Sequence, residues 1–189
     1  LRIKAGKRLL NMEDMLREGA GMDLSTGVVN GASFREFFRV VMADSQRAKT
    51  EGALLYVRVT NYASASEAHG FNPSETMMAG LANLLREIAR TSDLVTRLSD
   101  DTFCIMLQLT NWDKCNPVAK KIAEQAPNIA VMLDKGSIAP EIEIFAVNYP
   151  QGDMDYLQIL SEGQREYFSQ DGSERGAAVQ ATEAAPPPA

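Results

Sequence analysis

The sequence predicts a single α/β domain in which a mostly antiparallel central sheet is flanked by helices. Segments with apolar residues at helical spacing alternate with short β-favouring runs along most of the 189 residues. Near the middle, two such runs, 94–98 and 103–109, flank the polar tetrad Ser99-Asp100-Asp101-Thr102, which suits a tight antiparallel hairpin. An apolar share of 45% against 23% charged is globular composition, and the chain is long enough for one full core.

The elements follow in order. Residues 2–18 are charged, with Leu9, Met12 and Leu16 in a narrow stripe; they read as a connecting helix that packs on a second copy or on the domain surface. Gly19, Gly21 and Gly27 interrupt the pattern, after which Phe34, Phe37, Phe38 and Val41 predict a core-facing helix over 32–48. A β-rich run covers 53–60, and a helix over 74–90 carries Met77, Met78, Leu81, Leu84, Leu85 and Ile88 on one face. Beyond the hairpin come a helix at 117–125, strands at 129–133 and 142–148, and a last helix over 154–168. From Asp171 the large apolar residues cease apart from Val179, and the chain ends Ala-Ala-Pro-Pro-Pro-Ala. Such a tail cannot offset its ordering entropy and is expected to be disordered. The expected division is a connecting helix at 1–20, a domain at 21–170 and a tail at 171–189.

Charge and cysteine content exclude several functions. The formal net charge is −6 and no Lys/Arg cluster follows the first eight residues, which argues against a nucleic acid polymer as partner. No apolar run approaches the roughly 20 residues of a membrane span. Cys104 and Cys115 lack metal-type spacing, so a reducing cytoplasm is expected and a metal is not. The chain is read as cytoplasmic, alone or as the cytoplasmic part of a longer membrane-attached protein.

Three separated segments carry a family resemblance. Asp23-Leu24-Ser25-Thr26-Gly27-Val28-Val29-Asn30 resembles a D-x-L-T-G-L-x-N entry motif ahead of a helix. Arg97-Leu98-Ser99-Asp100-Asp101-Thr102-Phe103 stands where an R-[YF]-G-G-[DE]-E-F hairpin would lie, keeping Arg97, the acid at Asp101, and Phe103. Residues 142–150, followed by a helix ending Tyr167-Phe168-Ser169-Gln170, resemble a closing strand and a Y-x-A-K helix end. In order and spacing these resemble the GGDEF family of diguanylate cyclases over roughly 23–169. The resemblance implies a palm like that of GGDEF and nucleotide-cyclase domains.

It also implies a defective catalytic site. Joining two GTP molecules requires carboxylates that hold divalent cations against the triphosphate. The family's first-strand metal Asp falls at Arg58, so a cation stands where a cation's ligand belongs. Asp101 retains the second acid, and beside an Arg it is expected to form an ion pair rather than bind Mg²⁺. Ser99 and Asp100 replace the glycine pair, adding side chains and a negative charge near the phosphates, and Thr102 stands in place of the following acid. The guanine-reading Asn and Asp fall at Ser66 and Glu75, and the phosphate-facing Lys at Gln170. Ser66 loses the amide fork, while Glu75 keeps the capacity to accept from guanine. The chain is therefore read as no enzyme, without cofactor or metal.

One family site keeps its spacing. The resemblance places an R-x-x-D site for cyclic di-GMP with its Asp six residues before the first hairpin glycine, and Arg90-Thr91-Ser92-Asp93 satisfies this relative to Ser99. A guanidinium can fork onto the guanine O6/N7 edge or a phosphate, and a carboxylate can accept from N1–H and N2–H₂. The same four residues also suit a surface ion pair worth about 0–1 kcal/mol. Arg86, one helical turn earlier, is expected to lie outside the site. The implied function is an inactive signalling domain that binds cyclic di-GMP through Arg90 and Asp93 and relays the bound state to a protein partner or neighbouring domain. A homodimer through the first helix is one route. Two other readings stay open: a nucleotide-independent dimerisation or docking module, and a weak cyclase.

Overall fold

The computed structural model describes residues 21–163, 165–168 and 175–176. The expected connecting helix, Gln170 and most of the expected tail lie outside the described residues. The described residues open with a tight turn in which Thr26 N–H and Oγ1–H both donate to Asp23 Oδ1, at 2.9 and 2.6 Å. Gly27 completes that turn at φ +66°, a conformation that L side chains rarely adopt. Strand β1 (Val29–Asn30) follows and leads directly into helix α1 (Gly31–Ala48). Asn30, the last residue of the entry motif, caps α1 by accepting from Ser33 N–H at 2.9 Å.

The next elements are β2 (Gly52–Val59), α2 (Tyr62–His69), α3 (Phe71–Ile88), β3 (Leu94–Arg97) and β4 (Thr102–Gln108). After them come α4 (Trp112–Gln125), a short 3₁₀ turn, β5 (Val131–Met132), β6 (Ser137–Ile138), β7 (Ile142–Tyr149), α5 (Tyr156–Glu162), β8 (Arg165–Phe168) and β9 (Arg175–Gly176). The main sheet runs β1-β3-β4-β2-β7-β8-β9; only the β1–β3 pairing is parallel, while β5 and β6 form a separate hairpin.

Strand β2 is central and buried on both faces, so its alternate residues feed two cores. Leu55, Val57, Phe103 and Ile105 pack under α3 and α4, whose Met77, Leu81, Leu85, Ala119 and Ile122 recur at helical spacing. On the opposite face Leu54, Tyr56, Cys104 and Met106 meet Phe34, Phe38 and Met42 of α1 and Ile159 of α5. Truncating a fully buried ring such as Phe38 to Ala is expected to cost about 3–5 kcal/mol. At the end of the sheet opposite the hairpin, Gly52 lies beneath its cross-strand partner Tyr149; a Cβ there would fall 2.2 Å from the ring.

Several expected elements are corrected. The last helix ends at Glu162, and Arg165–Phe168 form a strand on β7. The cause is local: Gly163 lies so close to Ile159 O and Val147 that a Cβ would fall 2.5 Å from that carbonyl, and Phe168 then turns into the core. Arg175–Gly176, within the expected disordered tail, pair with β8. The strand expected over 129–133 shortens to Val131–Met132 and lies off the main sheet. Helix α2 and strand β1 were absent from the sequence reading. The first is rich in small residues without an apolar face, and the second is only two residues long.

Candidate functional site

The hairpin between β3 and β4 lies at one end of the sheet, beside the C-terminal end of β2. Val59 N–H donates to Asp101 O at 2.8 Å, and Arg58 pairs across the ladders with Thr102 on one side and Glu143 on the other. This topology brings Arg58, Ser99, Asp100, Asp101 and Thr102 together, as the motif spacing requires. Within the turn, Ser99 Oγ–H and Thr102 Oγ1–H both donate to Asp101 Oδ1 at 2.8 Å. The expected Asp101–Arg ion pair is therefore replaced by two hydroxyl contacts. Arg58 turns instead to Glu143 on β7, and this exposed pair is salt-screened.

Arg97, at the end of β3, organises the rest of this end. Its guanidinium forks onto Glu75 of α3 at 2.7 and 2.8 Å, donates to Asp100 O at 2.7 Å, and lies 3.5 Å from Asp23 of the entry turn. Tyr62 O–H of α2 adds a 2.7 Å bond to Glu75 Oε1. Both partners of the Arg97–Glu75 pair are largely shielded, at 6% and 12% side-chain exposure, which strengthens their attraction. The Arg97 hydrogen bonds hold the Glu75 carboxyl at about 2, against the opposing effect of burial, with Tyr62 helping. Burial and then Glu75 push the Tyr62 hydroxyl up to about 12. Arg97 loses by burial but gains more from Glu75 and Asp23, so its pKa rises.

Glu75, expected to keep the capacity to accept from guanine, already accepts from Arg97 on both oxygens and from Tyr62 on Oε1. Ser66 lies on α2, its carbonyl accepting from Gly70 N–H, and no side-chain contact joins it to Glu75. The donor set at this end does not fit Mg²⁺, which takes a near-octahedral shell of oxygens. Asp101 is occupied by hydroxyls, Glu75 by Arg97 and Tyr62, and a guanidinium stands at Arg58. Among the described residues no group of three or more His, Cys, Asp or Glu could hold a metal ion.

On the other side of β3, a recess of about 270 Å³ opens between the end of α3, the 89–93 loop and the entry turn. Val28, Val29, Val95 and Ala89 supply apolar walls, and Arg86, Arg90 and Asp93 supply charge. Asp93 is fixed by the backbone: its N–H donates to Arg90 O at 2.9 Å, and its Oδ2 accepts Arg90 N–H at 3.0 Å. The surface ion pair that four such letters allow is absent, since the Arg90 guanidinium has no ion-pair partner among the described residues. Arg86, expected to lie outside the site, lines the same recess because the chain turns back after Ile88.

Comparison with known proteins bears on the family and the fold. The family model for "Diguanylate cyclase, GGDEF domain" matches residues 20–166. The cyclic di-GMP phosphodiesterase NbdA of Pseudomonas aeruginosa is 23% identical over 157 residues, covering 80% of this chain and 20% of that protein. The chain spans well under half the length of the curated relatives it matches. Diguanylate cyclase SiaD of Pseudomonas aeruginosa, solved in complex with its activator SiaC, superposes with a TM-score of 0.72 at 21% identity, over 84% of this chain and 60% of that one. The GGDEF domain of DgcB from Caulobacter crescentus, solved in complex with c-di-GMP, gives 0.69 at 10% identity, over 75% and 81%. At such identities the structural likeness establishes the fold.

Proposed function

Because the chain belongs to the GGDEF family of diguanylate cyclase domains, we propose that it is a catalytically inactive member that binds cyclic di-GMP through Arg90 and Asp93 and relays the bound state to a protein partner or neighbouring domain. One contrast carries this reading. At the hairpin end the charges of Arg58, Glu75 and Arg97 are engaged within the chain, whereas at the recess Arg90 has no side-chain partner among the described residues and Asp93 is held in place by backbone. A carboxylate oriented in this way accepts from guanine N1–H and N2–H₂ without first giving up a guanidinium partner, so little is lost on binding. The Arg90 fork remains available for the O6/N7 edge or a phosphate.

At about 270 Å³ the recess falls just below the usual range for ligand pockets, roughly 300–1,000 Å³. It therefore grips one end of the dinucleotide and leaves the other for a partner or a second copy. That DgcB holds c-di-GMP and SiaD works with a protein activator supports the class of ligand and of relay. Titration calorimetry tests the reading: heat with cyclic di-GMP and none with GTP plus Mg²⁺ is the expected result. Heat with neither leaves a nucleotide-independent docking module, and turnover of GTP leaves a cyclase.

A further inference from the structure

We propose that Arg86 is a second cation of the recess, holding a phosphate of the bound cyclic dinucleotide. The inference rests on the receptor reading above and extends it to a residue outside the R-x-x-D spacing. Arg86 and Arg90 line the same recess, and Arg86 Nη1 lies 4.0 Å from where a Cβ on Gly27 would stand. The guanidinium thus reaches from α3 across to the entry turn, and the missing side chain of Gly27 leaves that approach open. Neither arginine has an ion pair or side-chain hydrogen bond among the described residues.

Two unpaired guanidiniums around a single carboxylate give the recess a local excess of positive charge, in a chain whose formal net charge is −6. Two like charges lining one recess repel each other, and no acidic side chain among its lining residues beyond Asp93 offsets them. An anionic ligand relieves that repulsion, and a cyclic dinucleotide carries its phosphates one sugar away from its bases. With Asp93 and Arg90 on the base, Arg86 at the neighbouring wall is the group left for phosphate.

The test is cyclic di-GMP titration of wild type, Arg86→Ala and Arg86→Lys at low and at roughly physiological salt. Arg86 is exposed, so each variant is expected to melt with wild type, which a thermal scan checks. Arg86→Ala is expected to bind roughly tenfold more weakly at low salt, with Arg86→Lys between the two, because a point charge replaces a fork. The deficit is expected to shrink as salt rises, since screening weakens the contact in wild type. Wild type that binds while Arg86→Ala matches it at both salts overturns this inference and leaves the receptor reading standing. Wild type that does not bind overturns both.

Discussion

Arg97 and Glu75, 22 residues apart in sequence, meet in a two-pronged ion pair with N···O distances of 2.7 and 2.8 Å. The pair ties the end of β3 to the first turns of α3, and through Asp23 and Tyr62 it draws in the entry turn and α2. Glu75, where the family resemblance leads one to expect a base-reading acid, is here a structural tie. The consequence is mechanical as well as chemical: the catalytic end is held together by charges that a nucleotide would have to displace.

Breaking that tie from one side is expected to be costly. Arg97→Ala leaves a shielded carboxylate without its partner, and removing one member of a buried pair costs on the order of 3 kcal/mol. For a domain of this size that is a fall of roughly 6–12 °C in Tm. Replacing both partners, Arg97→Met with Glu75→Leu, is expected to recover much of the loss, because neither charge is then stranded. Urea denaturation of the two single variants and the double gives the coupling directly; additive losses would contradict the tie.

The same network sets the pH dependence. Glu75 is depressed from 4.5 to about 2 in the folded chain, so its contribution is complete above about pH 4.5 and is lost as pH falls through 2. Tyr62 is raised from 10.0 to about 12, so its contribution is complete below about pH 10 and is lost as pH rises toward 12. Glu75→Gln is expected to flatten the acid limb of the stability curve and Tyr62→Phe the alkaline limb. Denaturant midpoints across both limbs read this, and a Glu75→Gln variant with the wild-type acid limb would remove Glu75 from the account.

Much of this was legible in sequence where periodicity and turn chemistry agreed. The polar tetrad between two β runs marked the hairpin, and the Asp23 to Asn30 motif marked the start of a helix, which Asn30 caps. What sequence could not give is register: Glu143 stands opposite Arg58 only because β7 pairs with β2 at that offset, and no local pattern announces it. The overlong last helix has a similar origin. Tyr167 and Phe168 fit a helical stripe and a strand equally well, and the stop depends on the crowding of Gly163 against Ile159 and Val147. Arg86 lies one helical turn before Arg90, where no local pattern marks it; the 89–93 segment brings Asp93 into the recess that Arg86 lines.

Purified protein is expected to make no cyclic di-GMP from GTP with Mg²⁺ or Mn²⁺. The expectation rests on Arg58, on the hydroxyls that occupy Asp101, and on the engaged Glu75. Restoring Arg58→Asp with Ser99→Gly and Asp100→Gly is still expected to fail, since none of these frees Glu75 from Arg97 and Tyr62. Chromatographic detection of product above a heat-killed control, for either protein, would show that the catalytic end is more adaptable than its contacts allow.

Cyclic di-GMP binding is expected to depend on Arg90 and Asp93 in different ways. Arg90 has no side-chain partner among the described residues, so Arg90→Ala is expected to remove the proposed ligand contact while leaving the fold intact; a charge-assisted contact is worth about 1.5–3 kcal/mol, or roughly ten- to hundredfold in affinity. Asp93 also receives Arg90 N–H at 3.0 Å, so Asp93→Ala loses the ligand contact and loosens the loop that presents Arg90. Asp93→Asn separates these effects. The amide oxygen still accepts from the backbone, but the amide N–H₂ opposes guanine N1–H and N2–H₂, donor against donor. Asn is therefore expected to keep the loop and the melting temperature while weakening cyclic di-GMP at least as much as Ala does. Arg35→Ala, an exposed change on α1 away from the recess, serves as the comparison and is expected to bind as wild type. Calorimetry on the four variants decides the matter: Asp93→Asn binding as tightly as wild type would mean that the carboxylate meets no guanine, and the recess would then be reading phosphate alone.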